Sequence, residues 1–154
     1  MWSFLKDLDD GKKFELTVLD ILKSEYPKED WIQNPVRTGV DILSKSWLKV
    51  EVKFDRMWNK TWNIFIEVEC NRKPSWIYKY EWLDVLAYWY IWESSTFLYL
   101  INVKKLIEEM WKNSFRQVNG WDWFRVKWIL VPISYLKEKL IISKEIEIWH
   151  QHLQ

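Results

Sequence analysis

The sequence predicts a mixed α/β (α+β) domain in which a central mixed β-sheet is flanked by helices. Three observations carry this. A helical amphipathic pattern opens the chain, two segments of seven and eight residues then alternate apolar with polar side chains, and further helical and extended pieces interleave after them. With 154 residues the expectation is one domain spanning 1–154, large enough to bury a core. Hydrophobic residues at 49%, charged residues at 29% and only 3 Gly and 4 Pro exclude a disordered or loop-dominated chain.

Taken in order, Gly11 to Tyr26 reads as a helix, since Phe14, Val18, Ile21 and Leu22 fall on one apolar stripe and Pro27 ends it. Trp31 to Gln33 is a short extended piece before the turn-rich NPVRTG. Val40 to Leu43 is a short β-branched strand. Leu48 to Phe54 alternates so that Leu48, Val50, Val52 and Phe54 share one face while Lys49, Glu51 and Lys53 share the other. Asn63 to Cys70 alternates again, and the polar, basic DRMWNKTW before it suits the loop of an antiparallel hairpin. After the loop RKPSWIYKY, a short helix or turn near Glu81 to Asp84 leads to strands at Val85 to Trp92 and Phe97 to Asn102. A helix follows from Val103 to Trp111, with Val103, Leu106, Ile107, Met110 and Trp111 inward. A strand over Phe124 to Val131 and a short helix over Ser134 to Lys139 complete the pattern.

The chemistry lies in Asp41, Glu51 and Lys53. Glu51 and Lys53 are two apart on a strand, so carboxylate and ammonium sit side by side on one face. Asp41, ten residues before Glu51, can pair alongside through strand, turn and strand. Two carboxylates suffice for a Mg²⁺ ion that keeps several waters, and such an ion supports phosphodiester hydrolysis. Lys53 would orient the attacking water or neutralise developing charge.

In this pattern the chain resembles the PD-(D/E)XK nuclease superfamily, through Asp41 and then Glu51-Val52-Lys53, with Val40 where the family has proline. The run RTGVDILSKSWLKVEVKFDRMWNKTWNIFIEVECNRKPSW is similar to small phage-type endonucleases related to Holliday-junction resolvases, over roughly residues 11 to 110. Trp76 stands where that group has glycine, and Tyr80 where a small hydroxyl residue is usual. The resemblance implies a restriction-endonuclease-like core and a DNA endonuclease dependent on Mg²⁺ or Mn²⁺, acting on branched or structured DNA. Its metal would be held by Asp41, Glu51 and the Val52 carbonyl, with Glu15 on the preceding helix supporting the metal or its water. Two rivals stand beside this: a nuclease-like fold kept as a DNA-binding or assembly module with little catalysis, and a restriction-type endonuclease reading duplex sequence.

Loops flanking these strands carry Arg37, Arg56, Lys60, Arg72, Lys73 and Lys79, a cluster suited to phosphates or to plain solvation. Trp58, Trp62 and Trp76 share the loops and suit base stacking or packing on the sheet. Glu67 and Glu69 read as a polar sheet face, with Glu67 the alternative rim of the metal site. The 14 Trp are many for one small core; stacking, a partner interface or biased codon usage would each account for them. A homodimer is expected, because cutting a junction or duplex needs two coordinated sites. The candidate patch is Tyr88, Trp89, Tyr90 and Trp92 with Trp121, Trp123 and Trp128, the alternative being that these strands are simply central to the sheet.

Other classes are disfavoured. A net charge of +1 gives no global basic field for coating DNA. No apolar run approaches a membrane span, and MWSFLKDLDD lacks the pattern of a signal peptide. The lone Cys70 points to a reducing cytoplasm, which the resemblance implies to be that of a bacterium or a phage-infected host. His150 and His152 lack further zinc ligands and read as an exposed tail. No phosphate-binding GxxxxGK[ST] loop is present.

Overall fold

The segment VLAYWYIW is apolar on both alternating faces, and the fold buries it on both. In the computed structural model this strand lies inside a six-stranded sheet, with Leu86, Tyr88 and Tyr90 in one core and Ala87 and Trp89 in another. The structure describes residues 4–36, 39–55, 61–79, 83–92, 95–120 and 125–148, with side chains at all of these except 4–10, 55, 79, 91–92 and 95.

The elements in chain order are α1 (Phe4–Glu25), β1 (Trp31–Gln33), β2 (Ile42–Ser44), β3 (Lys49–Asp55), β4 (Asn63–Cys70), β5 (Lys73–Pro74), α2 (Trp76–Lys79), β6 (Val85–Trp92), β7 (Ser95–Asn102), α3 (Val103–Lys112), β8 (Arg116–Gly120), β9 (Val126–Pro132), α4 (Ile133–Glu138) and β10 (Ile142–Ile148). Sheet A has the order β1-β2-β3-β6-β7-β10 and is mixed, with β3 and β6 parallel and its other neighbours antiparallel. Sheet B, order β5-β4-β9-β8, is antiparallel. The fold is thus mixed α+β.

Two cores lie on opposite faces of sheet A. On one, Val18, Leu19 and Leu22 of α1 pack on Ile42, Val50, Ala87, Trp89, Leu98 and Leu100. The stripe read from the sequence is this contact, since Phe14 and Ile21 join it as partly buried members. On the other face, Leu86, Tyr88, Tyr99 and Ile101 meet Ile64, Ile66, Val68 and Val131 of sheet B. Trp76 and Ile77, Leu106 and Met110, and Ile133 and Leu136 close that core from α2, α3 and α4. Burying one such large side chain contributes about 1.5–3 kcal/mol.

Several expectations are corrected. β3 and β4 do not form a hairpin: β3 pairs with β2 and β6 in sheet A, while β4 crosses to sheet B and pairs with β5 and β9. Alternation marks a strand but not its partner, and a parallel β3–β6 pair needs a crossover, which β4 and α2 supply. Ile64, Phe65 and Ile66 are all buried, so β4 has no solvated face at that end. The loop reading of RKPSWIYKY gives way to β5 and α2, and β8 and β10 are strands beyond those the sequence pattern predicts. Trp111 of α3 is 77% exposed rather than inward. Tyr88, Trp89 and Tyr90 are buried in the chain's own cores and offer no patch to a second copy. The side chain of Trp92, together with Trp121 and Trp123, lies outside the described residues. So do Glu81 within the expected short helix, and His150 and His152.

Candidate functional site

Local chain chemistry fixes where Asp41 stands. The β2–β3 turn is clamped by Ser44, whose N–H donates to the Leu48 carbonyl and whose Oγ accepts the Leu48 N–H, each at 3.0 Å. That sets Ile42 opposite Val50 and Leu43 opposite Lys49. At the other end of β2, Asn34 ties the loop before Asp41: its N–H donates to the Asp41 carbonyl at 2.8 Å and its Nδ2 to the Val40 carbonyl at 2.7 Å. Gly39 has φ +118°, a conformation that side-chain-bearing residues rarely adopt, and delivers the chain into this position.

Asp41 lies one residue beyond the regular β2–β3 ladder. Its N–H donates to the Val50 carbonyl at 3.1 Å, and its Oδ2 accepts the Val52 N–H at 2.7 Å. The N–H and C=O of one strand residue point to the same side, so the Val52 carbonyl is turned toward the edge where the Asp41 carboxylate lies.

Glu51 is 5% exposed on the face of β3 that looks toward sheet B, in register with Leu86. Its Oε1 accepts the Lys53 ammonium at 2.7 Å. Its Oε2 is buried with no hydrogen-bond partner among the described residues. Lys53, beside Tyr88 in register, also lies over the Trp76 ring, 5.0 Å from its centroid. Glu15 comes from α1, on the far face of sheet A, and its Oε2 accepts from Gln33 Nε2 at 2.9 Å.

The electrostatics follow from crowding anions in a partly dry place. Burial first, and then the charge of Glu51, push the Asp41 carboxyl up to about 7, with Glu15 adding to the rise and the Val52 N–H and Lys53 opposing it. Burial likewise raises Glu51, against the pull of Lys53, and Glu15 raises it further. Each shift records a carboxylate that lacks enough positive charge around it.

Whether these residues suit a divalent ion can be judged from their donors. All are oxygens, which fits Mg²⁺ or Mn²⁺ rather than a softer metal. The Glu51 Oε2 atom lacks a partner and the second Asp41 oxygen is not the one taking the Val52 N–H. No three His, Cys, Asp or Glu side chains among the described residues form a metal-sized group. Two carboxylates and the Val52 carbonyl, the set the resemblance implies, are oxygen donors of the kind Mg²⁺ accepts beside waters and substrate oxygens.

Of the sequence-derived site residues, Asp41, Glu51, Val52 and Lys53 come together, while Glu15 is near enough for its charge to raise both carboxyls but forms no metal-sized group with them. Of the proposed substrate residues, Trp62, Arg72, Lys73 and Trp76 have described side chains. Arg72 and Lys73 are exposed on the β4–β5 hairpin, where Asn71 and Arg72 make a two-residue turn with φ 51° and 64°. Trp76 is 9% exposed and belongs to the core, because α2 folds it inward over Lys53. Trp62 is 47% exposed and stacks on Tyr90 at 5.9 Å. Arg37, Arg56, Trp58 and Lys60 lie outside the described residues, as does the side chain of Lys79. Glu69 pairs with Lys127 at 3.1 Å, and Glu67 accepts the Ser75 hydroxyl. Sequence reasoning missed Gln33 and Asn34, which hold Glu15 and Asp41; the only trace of Asn34 is its turn-forming Asn-Pro pair.

The chain matches no family model, no curated protein and no solved structure. Among the described residues, no helix is long and apolar enough to cross a membrane.

Proposed function

We propose that this protein is a Mg²⁺- or Mn²⁺-dependent deoxyribonuclease of the PD-(D/E)XK type, an endonuclease for branched or otherwise structured DNA. The observation that carries the reading is at Glu51. One oxygen holds the Lys53 ammonium, while the other is buried without a partner beside a second carboxyl that burial and anionic neighbours have raised to about 7. Such an arrangement is costly in the folded chain alone, and a divalent cation would offset it. A module that only bound DNA would gain nothing from carboxylates facing phosphate.

Asp41, Glu51 and the Val52 carbonyl would hold the ion. When bound, it would polarise the scissile phosphate and make a coordinated water a better nucleophile. The chain's own groups do the rest. Lys53, fixed by Glu51, would hydrogen-bond the attacking water and balance charge on the phosphoryl oxygens as that water bonds to phosphorus and gives up its proton to solvent, while the P–O bond breaks and the leaving oxygen takes a proton from solvent. Glu15, held by Gln33, adds a further acceptor for a water of the site.

The test is incubation of the protein with labelled duplex, single-stranded, flap, splayed-arm and four-way-junction DNA, with Mg²⁺, Mn²⁺ or chelator. Metal-dependent cleavage of a branched substrate, lost in Glu51→Gln and Asp41→Asn, is the expected result. Absence of cleavage on every substrate with either metal would overturn the reading.

A further inference from the structure

We infer that Trp76 is a positioning residue for Lys53, its indole face holding the lysine ammonium in the working place beside Glu51; this rests on the nuclease reading above. A lysine side chain has four rotatable bonds and a strongly hydrated head, so a single ion pair leaves its ammonium free to swing. Here two groups from different layers bracket it. Glu51 Oε1 lies at 2.7 Å from within β3, and the Trp76 ring centroid lies at 5.0 Å from α2. Tryptophan is the aromatic face that attracts a cation best, and the attraction strengthens where water is thinned out.

The ring is itself held rigidly. Trp76 is 9% exposed, its neighbour Ile77 is 2% exposed, and both pack into the core between the sheets. Ser75, just before it, is buried and donates its hydroxyl to Glu67 of β4, while its N–H donates to the Val68 carbonyl at 3.0 Å. Sheet B thus delivers a fixed aromatic surface to a lysine of sheet A. The contact has a consequence for catalysis: a Lys53 that keeps a second anchor stays in place when the Glu51 carboxylate is drawn upon by other positive charge. Of the two roles open to this tryptophan, stacking on bases or packing on the sheet, it takes the second and acts through Lys53.

The experiment compares the wild type with Trp76→Phe, which keeps an aromatic face, and Trp76→Met, which is apolar and nearer phenylalanine in size but has no ring. Folding is checked by thermal melting. In metal-free wild-type protein the Lys53 ε-methylene protons, assigned by comparison with Lys53→Arg, should be shifted upfield by the indole ring current. The shift should shrink in Trp76→Phe and vanish in Trp76→Met. On the cleaved substrate, Trp76→Met should lower kcat about tenfold with KM little changed, and Trp76→Phe should recover most of it. Equal losses in the Phe and Met variants, or wild-type kcat in Trp76→Met, would overturn the positioning role while leaving the nuclease reading intact. A random-coil position for the wild-type Lys53 protons would overturn it whether or not the variants fold. A wild type that cleaves no substrate would remove the nuclease reading and the role together, even with the ring-current shift present.

Discussion

Asp41 Oδ2 accepts the N–H of Val52 at 2.7 Å, so a side chain continues the ladder where the β2 backbone has left it. This one bond sets the carboxylate against β3 and forces it to share space with Glu51. The neighbouring negative charge is part of why the Asp41 carboxyl sits near 7. Position and electrostatic cost have the same origin, and the cost can be measured.

Asp41→Asn should stabilise the metal-free protein at neutral and alkaline pH. An acid whose folded pKa is about 7, against 3.8 when unexceptional, binds more protons in the folded state across that window. Stability of the wild type is therefore highest below pH 4 on this account and is lost as pH rises toward and through 7. Asparagine keeps an acceptor for Val52 but cannot ionise. Its advantage should be absent near pH 4 and reach on the order of 2 kcal/mol above pH 7, discounted for remaining solvent access. Denaturant unfolding in chelator from pH 4 to 8 checks this, and parallel curves for the two proteins would contradict the shift.

Divalent ions should act in the opposite sense, stabilising the wild type most where its carboxylates are ionised. At a Mg²⁺ or Mn²⁺ concentration about 100 times Kd, linkage gives about 2.7 kcal/mol. For a chain of this size that corresponds to a rise in Tm of roughly 5–10 °C. Glu51→Gln should abolish most of the rise, because it removes the buried carboxylate whose Oε2 lacks a partner. Thermal melts with and without chelator measure it; an equal rise in wild type and variant would place the ion elsewhere.

Lys53→Met should cost cleavage far more than folding. Methionine keeps most of the apolar stem beside Trp76 and loses the ammonium that Glu51 Oε1 holds at 2.7 Å. We expect kcat to fall by about 10² or more, in the range of a lost proton-handling or charge-stabilising group. Glu51 also loses the cation that opposes its burial. Its carboxyl should then rise further and metal binding should weaken at low pH. Retention of wild-type kcat would remove Lys53 from the chemistry.

Much of this site was legible because strands have a simple period. Glu51 and Lys53 had to share a face and Val50 and Val52 the other, which the structure packs against the helix stripe of Val18 and Leu22. The β6 boundaries, Val85 to Trp92, also follow from an unbroken apolar run. Pairing was not legible. Nothing in NIFIEVEC says that β4 seeks β9, sixty residues on, because register is settled by which faces fill a common core. β10 reads ISKEIEI, an edge strand beside β7 whose Ile146 and Ile148 pack into the core under α1, but its signal was diluted by the charges between them. Trp76 stayed open between two readings for a related reason: a tryptophan in a polar loop looks the same in sequence whether it faces DNA or packs back on the sheet, and the structure has it packed in the core over Lys53.

Trp62 is the remaining tryptophan of the site loops with a described position, and it should contribute to substrate binding. Its backbone is anchored, since its carbonyl accepts the Ile133 N–H at 2.9 Å, and its ring stacks on buried Tyr90 at an interplanar angle of 23°. Tyr90 is in register with Asp55, two residues and so roughly 7 Å along the strand from Lys53 on the same face. The indole is nonetheless 47% exposed, so a rigid aromatic surface stands within a nucleotide or two of the lysine. Stacking one base on such a surface is worth roughly 1–3 kcal/mol. Trp62→Ala should therefore weaken binding of branched DNA about tenfold or more, and Trp62→Phe should restore part of it. Loss of the Tyr90 contact will also cost some stability, so affinity is measured by fluorescence anisotropy at a temperature where both variants are folded by circular dichroism. Wild-type affinity in folded Trp62→Ala would confine this tryptophan to packing on Tyr90.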